Sequence, residues 1–163
     1  YLVVKDILGF KTDFAELKLK TSEAKWNILT ILSDMVLLKK NTASEMILVT
    51  SKKQSNINGE NFFISPYNNW LLMWTPWELW TCSDGEEPYL LNRSGENLLT
   101  VLPLDKYNTL AMVYQNKITA IFPYYLVTNE LLKVKIDRIM ADSENKILYY
   151  TIKDKAGLWQ LKY

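Results

Sequence analysis

Residues 60–85 read ENFFISPYNNWLLMWTPWELWTCSDG, and four of the chain's six tryptophans fall inside them: Trp70, Trp74, Trp77 and Trp80. The stretch alternates short apolar runs with short polar turns. NFFIS leads into PYNN, WLLMW follows, TPW turns the chain, and ELWT runs on toward an Asp-Gly pair at Asp84 and Gly85. Short aliphatic and aromatic runs bounded by Pro, Asn, Asp and Gly are strand and hairpin signals, not helix signals. Strand alternation points Trp70, Leu72 and Trp74 to one face and Leu71 and Met73 to the other.

The same grammar recurs downstream. Units open at Ile64, Leu102 and Met140, spaced 102 − 64 = 38 and 140 − 102 = 38, and Leu72, Leu110 and Leu148 keep that interval. Each unit has a polar turn (PYNN, PLDKYN, ADSEN), an apolar strand (WLLMW, TLAMV, ILYY), a second turn (TPW, YQNK, TIKDKAG) and a further strand (ELWT, KITAIF, GLWQL). An apolar run precedes each: NFFIS, NLLTVLP and LLKVKIDRIM. A repeat near 40 residues holding three or four short strands is the signature of a propeller blade. One such sheet has two apolar faces and becomes stable only when neighbours cover both.

The expected fold is therefore all-β. Propeller-type blades fall at about 61–97, 98–136 and 137–163, with a looser fourth at about 26–60, as a small ring or as part of a larger one. Residues 1–25 read as an incomplete blade or a connecting segment. A rival reading makes 22–40 a helix, with Ser22 as N-cap, Trp26, Leu29 and Leu32 on one face and lysines at the end. The Ile, Leu and Val content of 28–38 favours strands.

Composition narrows the chemistry. The 163 residues suffice for one domain with a real core, and 48% hydrophobic with 23% charged residues is ordinary globular usage. Nineteen basic and eighteen acidic residues leave a net charge of +1, which makes no electrostatic case for nucleic acid. The absence of histidine excludes a Ser-His-Asp or Cys-His arrangement and any His-ligated metal. The lone Cys82 cannot form an internal disulfide or a Cys-rich zinc site. No apolar run reaches the roughly 18 residues of a membrane span.

Individual residues add little catalytic signal. Asp84, Asp105 and Asp142 recur in turns, where an Asp side chain caps its own backbone amides. The adjacent Glu86 and Glu87 lack the separated second acid that glycoside hydrolysis needs. Asn92-Arg93-Ser94 is a glycosylation sequon, meaningful only in a glycosylating pathway. Gly157 permits a tight turn before the last strand. The expected function has no catalytic residue, no metal and no cofactor. The candidate binding residues are aromatics: Trp77 after Pro76 in a turn, Trp80, and Tyr124 and Tyr125 in the loop FPYY. Stacked rings of this kind serve a protein partner or a carbohydrate.

The stretch SPYNNWLLMWTPWELWTCSDGEEPYLLNRSGENLLTVLP resembles the TolB-type propeller repeat. Its blades carry a Ser-Pro-Asp-Gly-Lys turn, a Leu-Leu strand, a Leu-Trp or Ile-Trp strand, an Asp-Gly turn and a Leu-Thr-Arg-like exit. Ser65, Pro66, Leu71, Leu72, Leu79, Trp80, Asp84, Gly85, Leu90, Leu91 and Arg93 match. The first turn departs, with Tyr67 and Asn68 where the family has Asp-Gly, and the third unit lacks the proline. The chain is also similar to propellers that follow PEGA domains in bacterial envelope proteins. The resemblance implies a non-catalytic module for protein interaction or scaffolding. It also implies an extracytoplasmic setting, or a membrane anchor through a segment upstream. Self-association, or closure with further blades of a parent chain, belongs to the same expectation.

Overall fold

The computed structural model describes residues 26–32, 35–40, 45–50, 53–83 and 86–163. The segment 1–25, read from sequence as part of a blade or a connector, lies outside them, as do Asp84 and Gly85.

The described chain is all-β. Fifteen strands form four open antiparallel sheets, and in each sheet the strands follow one another in chain order. The first sheet holds β1 (Trp26–Ile31), β2 (Met35–Lys40), β3 (Glu45–Thr50) and β4 (Gln54–Asn58). The second holds β5 (Asn61–Ile64), β6 (Leu71–Trp74), β7 (Glu78–Cys82) and β8 (Tyr89–Arg93). The third holds β9 (Leu98–Pro103), β10 (Leu110–Tyr114), β11 (Ile118–Phe122) and β12 (Val127–Leu132). The fourth has three strands, β13 (Ile136–Asp142), β14 (Ile147–Ile152) and β15 (Trp159–Lys162). The helical alternative for 22–40 does not hold where that segment is described. Trp26–Ile31 and Met35–Lys40 pair as an antiparallel hairpin.

The turns show why the sequence repeats. The hairpin between β5 and β6 is closed by the Ser65 N–H donating to the Trp70 carbonyl, and the one between β9 and β10 by the Leu104 N–H donating to the Thr109 carbonyl. The register places Ile64 opposite Leu71, Pro103 opposite Leu110, and Ala141 opposite Leu148. Two residues before Leu71, Leu110 and Leu148, each turn has a left-handed residue: Asn69, Asn108 and Lys146, with φ of 54°, 69° and 55°. Asn tolerates this region better than most residues because its side chain bonds the local backbone. The structural interval is thus 110 − 71 = 39 and then 148 − 110 = 38. This corrects the uniform 38-residue spacing. Leu71, not Leu72, is the counterpart of Leu110 and Leu148, because the span from the first turn to the second is one residue longer than the next.

Packing divides the chain into two compact units. Among the described residues, one comprises those from Trp26 to Thr75 with those of Trp80–Tyr89, the other Pro76–Leu79 with Leu90–Tyr163. In the first unit, Met35, Leu37, Met46, Leu48 and Ile57 of the first sheet cluster with Leu71, Met73 and Cys82 of the second. In the second unit, Ala111, Val113, Ile118 and Ala120 of the third sheet cluster with Ile136 and Leu148 of the fourth. Leu71 and Leu148, equivalent in the repeat, each face the preceding sheet. Strands β6 and β10 are buried along their whole length, so their two faces are equally apolar. Trp70 and Trp74 are buried side chains of this kind.

Candidate functional site

The third sheet has two turns at one end and one at the other, and the two-turn end concentrates exposed aromatic surface. Strand β11 ends at Phe122, which pairs with Val127 of β12. Between them the Tyr125 N–H donates to the Phe122 carbonyl at 3.0 Å, closing a turn with Pro123 at its second position. Proline's fixed φ suits that position. The turn aims its side chains into solvent: Tyr124 is 73% exposed, Tyr125 79% and Leu126 67%. Leu126 also sits in the left-handed region with φ of 52°. An L-residue with a bulky apolar side chain adopts that conformation at a cost.

Because the strands are antiparallel, the β9–β10 turn lies at the same end of the sheet as the β11–β12 turn. It contributes Tyr107, which is 68% exposed and has the Lys106 ammonium 5.3 Å from its ring centroid. This turn is held firmly. One Asp105 Oδ1 accepts the N–H groups of Tyr107 at 2.8 Å and Thr109 at 3.0 Å. From the fourth sheet, the Ser143 hydroxyl donates to the Pro103 carbonyl and the Tyr163 hydroxyl to the Leu104 carbonyl, at 3.1 and 2.6 Å. The β13–β14 turn is thereby fixed beside it. In that turn Asp142 accepts from the backbone and side-chain amides of Asn145. Those hydrogen bonds hold the Asp142 carboxyl below the ordinary aspartate value of 3.8.

The end so built offers three tyrosine rings, their hydroxyls and an exposed leucine on supported turns. Asp105 and Asp142 are both engaged with the amides of their own turns, as expected for turn aspartates. Among the described residues no group of three or more Cys, Asp or Glu could hold a metal ion. No helix is long and apolar enough to cross a membrane among those residues.

Trp77 and the Tyr124–Tyr125 pair, all named from sequence, lie at opposite ends of the third sheet. Trp77 is 56% exposed. The Leu98 N–H at the start of β9 donates to the Pro76 carbonyl, and Ser94 N–H to the Trp77 carbonyl, whereas Tyr124 lies beyond the far end of that sheet. The six residues of β9 put roughly 15–20 Å between the two ends. At the Trp77 end, Glu78 pairs with Arg93 at 3.3 Å and Glu96 with Lys117 at 2.6 Å. The hydrogen bond to Glu96 raises the Lys117 amine above its ordinary value of 10.5. Trp80 is packed against the core of the first unit and is only partly exposed. Tyr107 and Leu126 were missed in the sequence. The available signal for Tyr107 was a large aromatic in the middle of the polar turn PLDKYN.

No protein-family model matches the sequence, and a comparison with curated proteins finds no match either.

Proposed function

We propose that the chain is a non-catalytic, propeller-type interaction module that takes a protein partner on its tyrosine-bearing end. The observation that carries this reading is the exposed cluster of Tyr107, Tyr124, Tyr125 and Leu126 on turns that are themselves held in place. Tyrosine combines a large, rigid contact area with a polar tip, which is why it is enriched at protein interfaces. Grouped exposed apolar surface of this kind marks interaction sites in soluble proteins. Leu126 adds a conformational argument, since a bulky residue in left-handed backbone at a solvent-facing tip has no packing reason to be there.

The blade reading draws support from the repeated turn geometry at Asn69, Asn108 and Lys146, and from Leu71 and Leu148 each packing toward the preceding sheet. A TolB-type ring in a bacterial envelope is the form of this proposal that the sequence resemblance implies.

The test is site-specific photocrosslinking. Benzoylphenylalanine at position 125, in the cell that makes the protein, is expected to yield one discrete protein adduct. Leu126→Ser should remove that adduct while leaving the circular dichroism spectrum unchanged. Adducts to glycan alone would transfer the site to carbohydrate binding, and no adduct at all would end the proposal.

A further inference from the structure

The chain is close to neutral, with nineteen basic and eighteen acidic residues, but its cations are not spread evenly. They concentrate at one end of the fourth sheet. Strand β13 starts there with Ile136, which lies opposite Ile152 at the end of β14. The Lys153 N–H donates to the Lys135 carbonyl at 2.9 Å, so the link before β13 is held against the β14–β15 turn. The link contributes Lys133 and Lys135, the turn Lys153 and Lys155, and the start of β13 Arg138, and all five are exposed. The acids of the same two segments are Asp137 and Asp154, so five cations against two carboxylates leave +3, where the whole chain has +1. None of the five cations forms an ion pair among the described residues.

Apolar side chains accompany these charges. The Lys155 N–H donates to the Ile152 carbonyl at 3.2 Å and closes a four-residue turn, with Asp154 left-handed at its third position. Just beyond, Leu158 is 70% exposed. Trp159 is exposed too, and its indole Nε1 lies 3.9 Å from where a Cβ on Gly157 would stand, so the ring lies against the turn. Trp77 belongs to the same end. The Leu98 N–H donates to the Pro76 carbonyl, Leu98 pairs with Tyr114, and the next residue, Gln115, accepts the Ile136 N–H at 3.3 Å. The nearby Glu78 and Glu96 are already paired with Arg93 and Lys117. This end therefore presents uncompensated lysines beside exposed leucine and tryptophan.

We infer that this end of the second unit rests on the surface of an anionic lipid bilayer, with the Lys153–Trp159 turn at the headgroups. Three features choose a bilayer among anionic partners. Four of the five cations are lysine, a flexible point charge suited to a diffuse negative surface, whereas arginine is the residue of bidentate grip on a single phosphate or carboxylate. The lysines stand on connections at the end of a sheet, whereas a nucleic-acid strand is held along a basic groove. Leu158 and Trp159 give the turn an apolar component, and a basic surface with leucine and tryptophan beside it is the composition that settles into the headgroup region. Indole rings prefer that depth because they are apolar with one polar N–H. Each lysine near such a surface contributes roughly a fivefold gain in partitioning. The attachment is peripheral, and it turns the Tyr124–Tyr125 tip, at the other end of the third sheet, away from the lipid.

Cosedimentation of the whole chain with vesicles of phosphatidylcholine containing one-third phosphatidylglycerol, against vesicles of phosphatidylcholine alone, tests this. Binding to the anionic vesicles only is expected. It should be lost in molar salt, where the screening length falls to about 3 Å. The double variant Lys153→Glu, Lys155→Glu, on an exposed turn, should lower vesicle binding at least about tenfold with an unchanged circular dichroism spectrum. Leu158→Ser should weaken vesicle binding severalfold and leave binding to inorganic polyphosphate, which has charge but no apolar interior, as in the parent. No binding to anionic vesicles, or equal binding to both kinds, would overturn the inference. So would parent-like vesicle binding by the double lysine variant or by L158S. Tighter binding to duplex DNA than to vesicles at equal phosphate concentration, lost in the double lysine variant, would assign the surface to nucleic acid and overturn it as well.

Discussion

Leu148 and Leu126 belong to the same unit and have the same side chain, yet their settings are opposite. Leu148 lies in β14, fully buried against Ala111, Val113 and Ile118. Leu126 caps the β11–β12 hairpin, two-thirds exposed, with its backbone in left-handed conformation. The first position satisfies both hydrophobic and conformational preference, and the second violates both. Interior strands are where this fold gains its stability, and the tip of the β11–β12 hairpin is where Leu126 is placed against it. Removing the interior leucine should break the fold, while removing the tip leucine should help it.

The largest effect is expected at the interior. Leu148→Ala removes a buried side chain from the cluster joining the third and fourth sheets and leaves a cavity, which costs about 2–5 kcal/mol. Thermal or urea denaturation reads this directly. The double variant Tyr124→Ser, Tyr125→Ser, at exposed positions, should stay within about 0.5 kcal/mol of the parent. If the tyrosine pair cost as much as Leu148, the tip would be a packing element and the contrast would collapse.

The tip itself gives the next effect, of opposite sign. Glycine adopts left-handed backbone without the penalty of a Cβ, so Leu126→Gly should relieve about 1 kcal/mol in the folded state. Greater freedom of the unfolded chain offsets part of that gain. A melting temperature equal to or slightly above the parent's is expected, together with loss of the partner crosslink. A clear drop in melting temperature would mean that Leu126 packs in a way its exposure does not show.

Not every interior atom is well served. The Thr81 hydroxyl is fully buried in the first unit, with no hydrogen-bond partner among the described residues. A buried polar atom left unpaired costs about 1–3 kcal/mol, and replacing it with an apolar group of similar shape recovers part of that. Thr81→Val is therefore expected to stabilise the protein by roughly 1 kcal/mol in equilibrium denaturation. Destabilisation by as much would show that the hydroxyl has a bound water.

The alternation of apolar runs and polar turns made the strands legible, because one face or both of each strand must be covered and the turn residues are polar. Residues 26–31 and 35–40 illustrate the limit. Their Ile, Leu and Val content favours strands, but the spacing also fits one face of a helix, and pairing across the sheet decides. The repeat was legible to within one residue. The extra residue between the second and third sheets shifts Leu71 into the place that spacing alone gives to Leu72, and a one-residue shift changes the face. The site was less legible. Tyr124 and Tyr125 stood out as adjacent aromatics, but Trp77 and Trp80 carry equal aromatic weight in the sequence. Strand direction puts one at the far end of the sheet, and packing turns the other toward the core.

The smallest expected effect sharpens the comparison at the tyrosine end, where carboxylates and hydroxyls hold the turns through hydrogen bonds. The hydrogen bonds from Asn145 keep the Asp142 carboxyl below its ordinary value of 3.8. A group whose pKa is lower when folded contributes its stabilisation above the unfolded value and loses it as pH falls through the folded value. The contribution of this turn is thus complete above about pH 4 to 5 and disappears in stronger acid. The carboxylate is exposed, so the response is local and does not extend to global unfolding. In a pH titration followed by nuclear magnetic resonance, the Asn145 backbone and side-chain amide signals should move together with a midpoint below 3.8, and Asp142→Asn should flatten both curves. A midpoint at or above that value would mean that the Asn145 amides do not hold the carboxylate, and that the β13–β14 turn is fixed by the Ser143 hydroxyl on the Pro103 carbonyl instead.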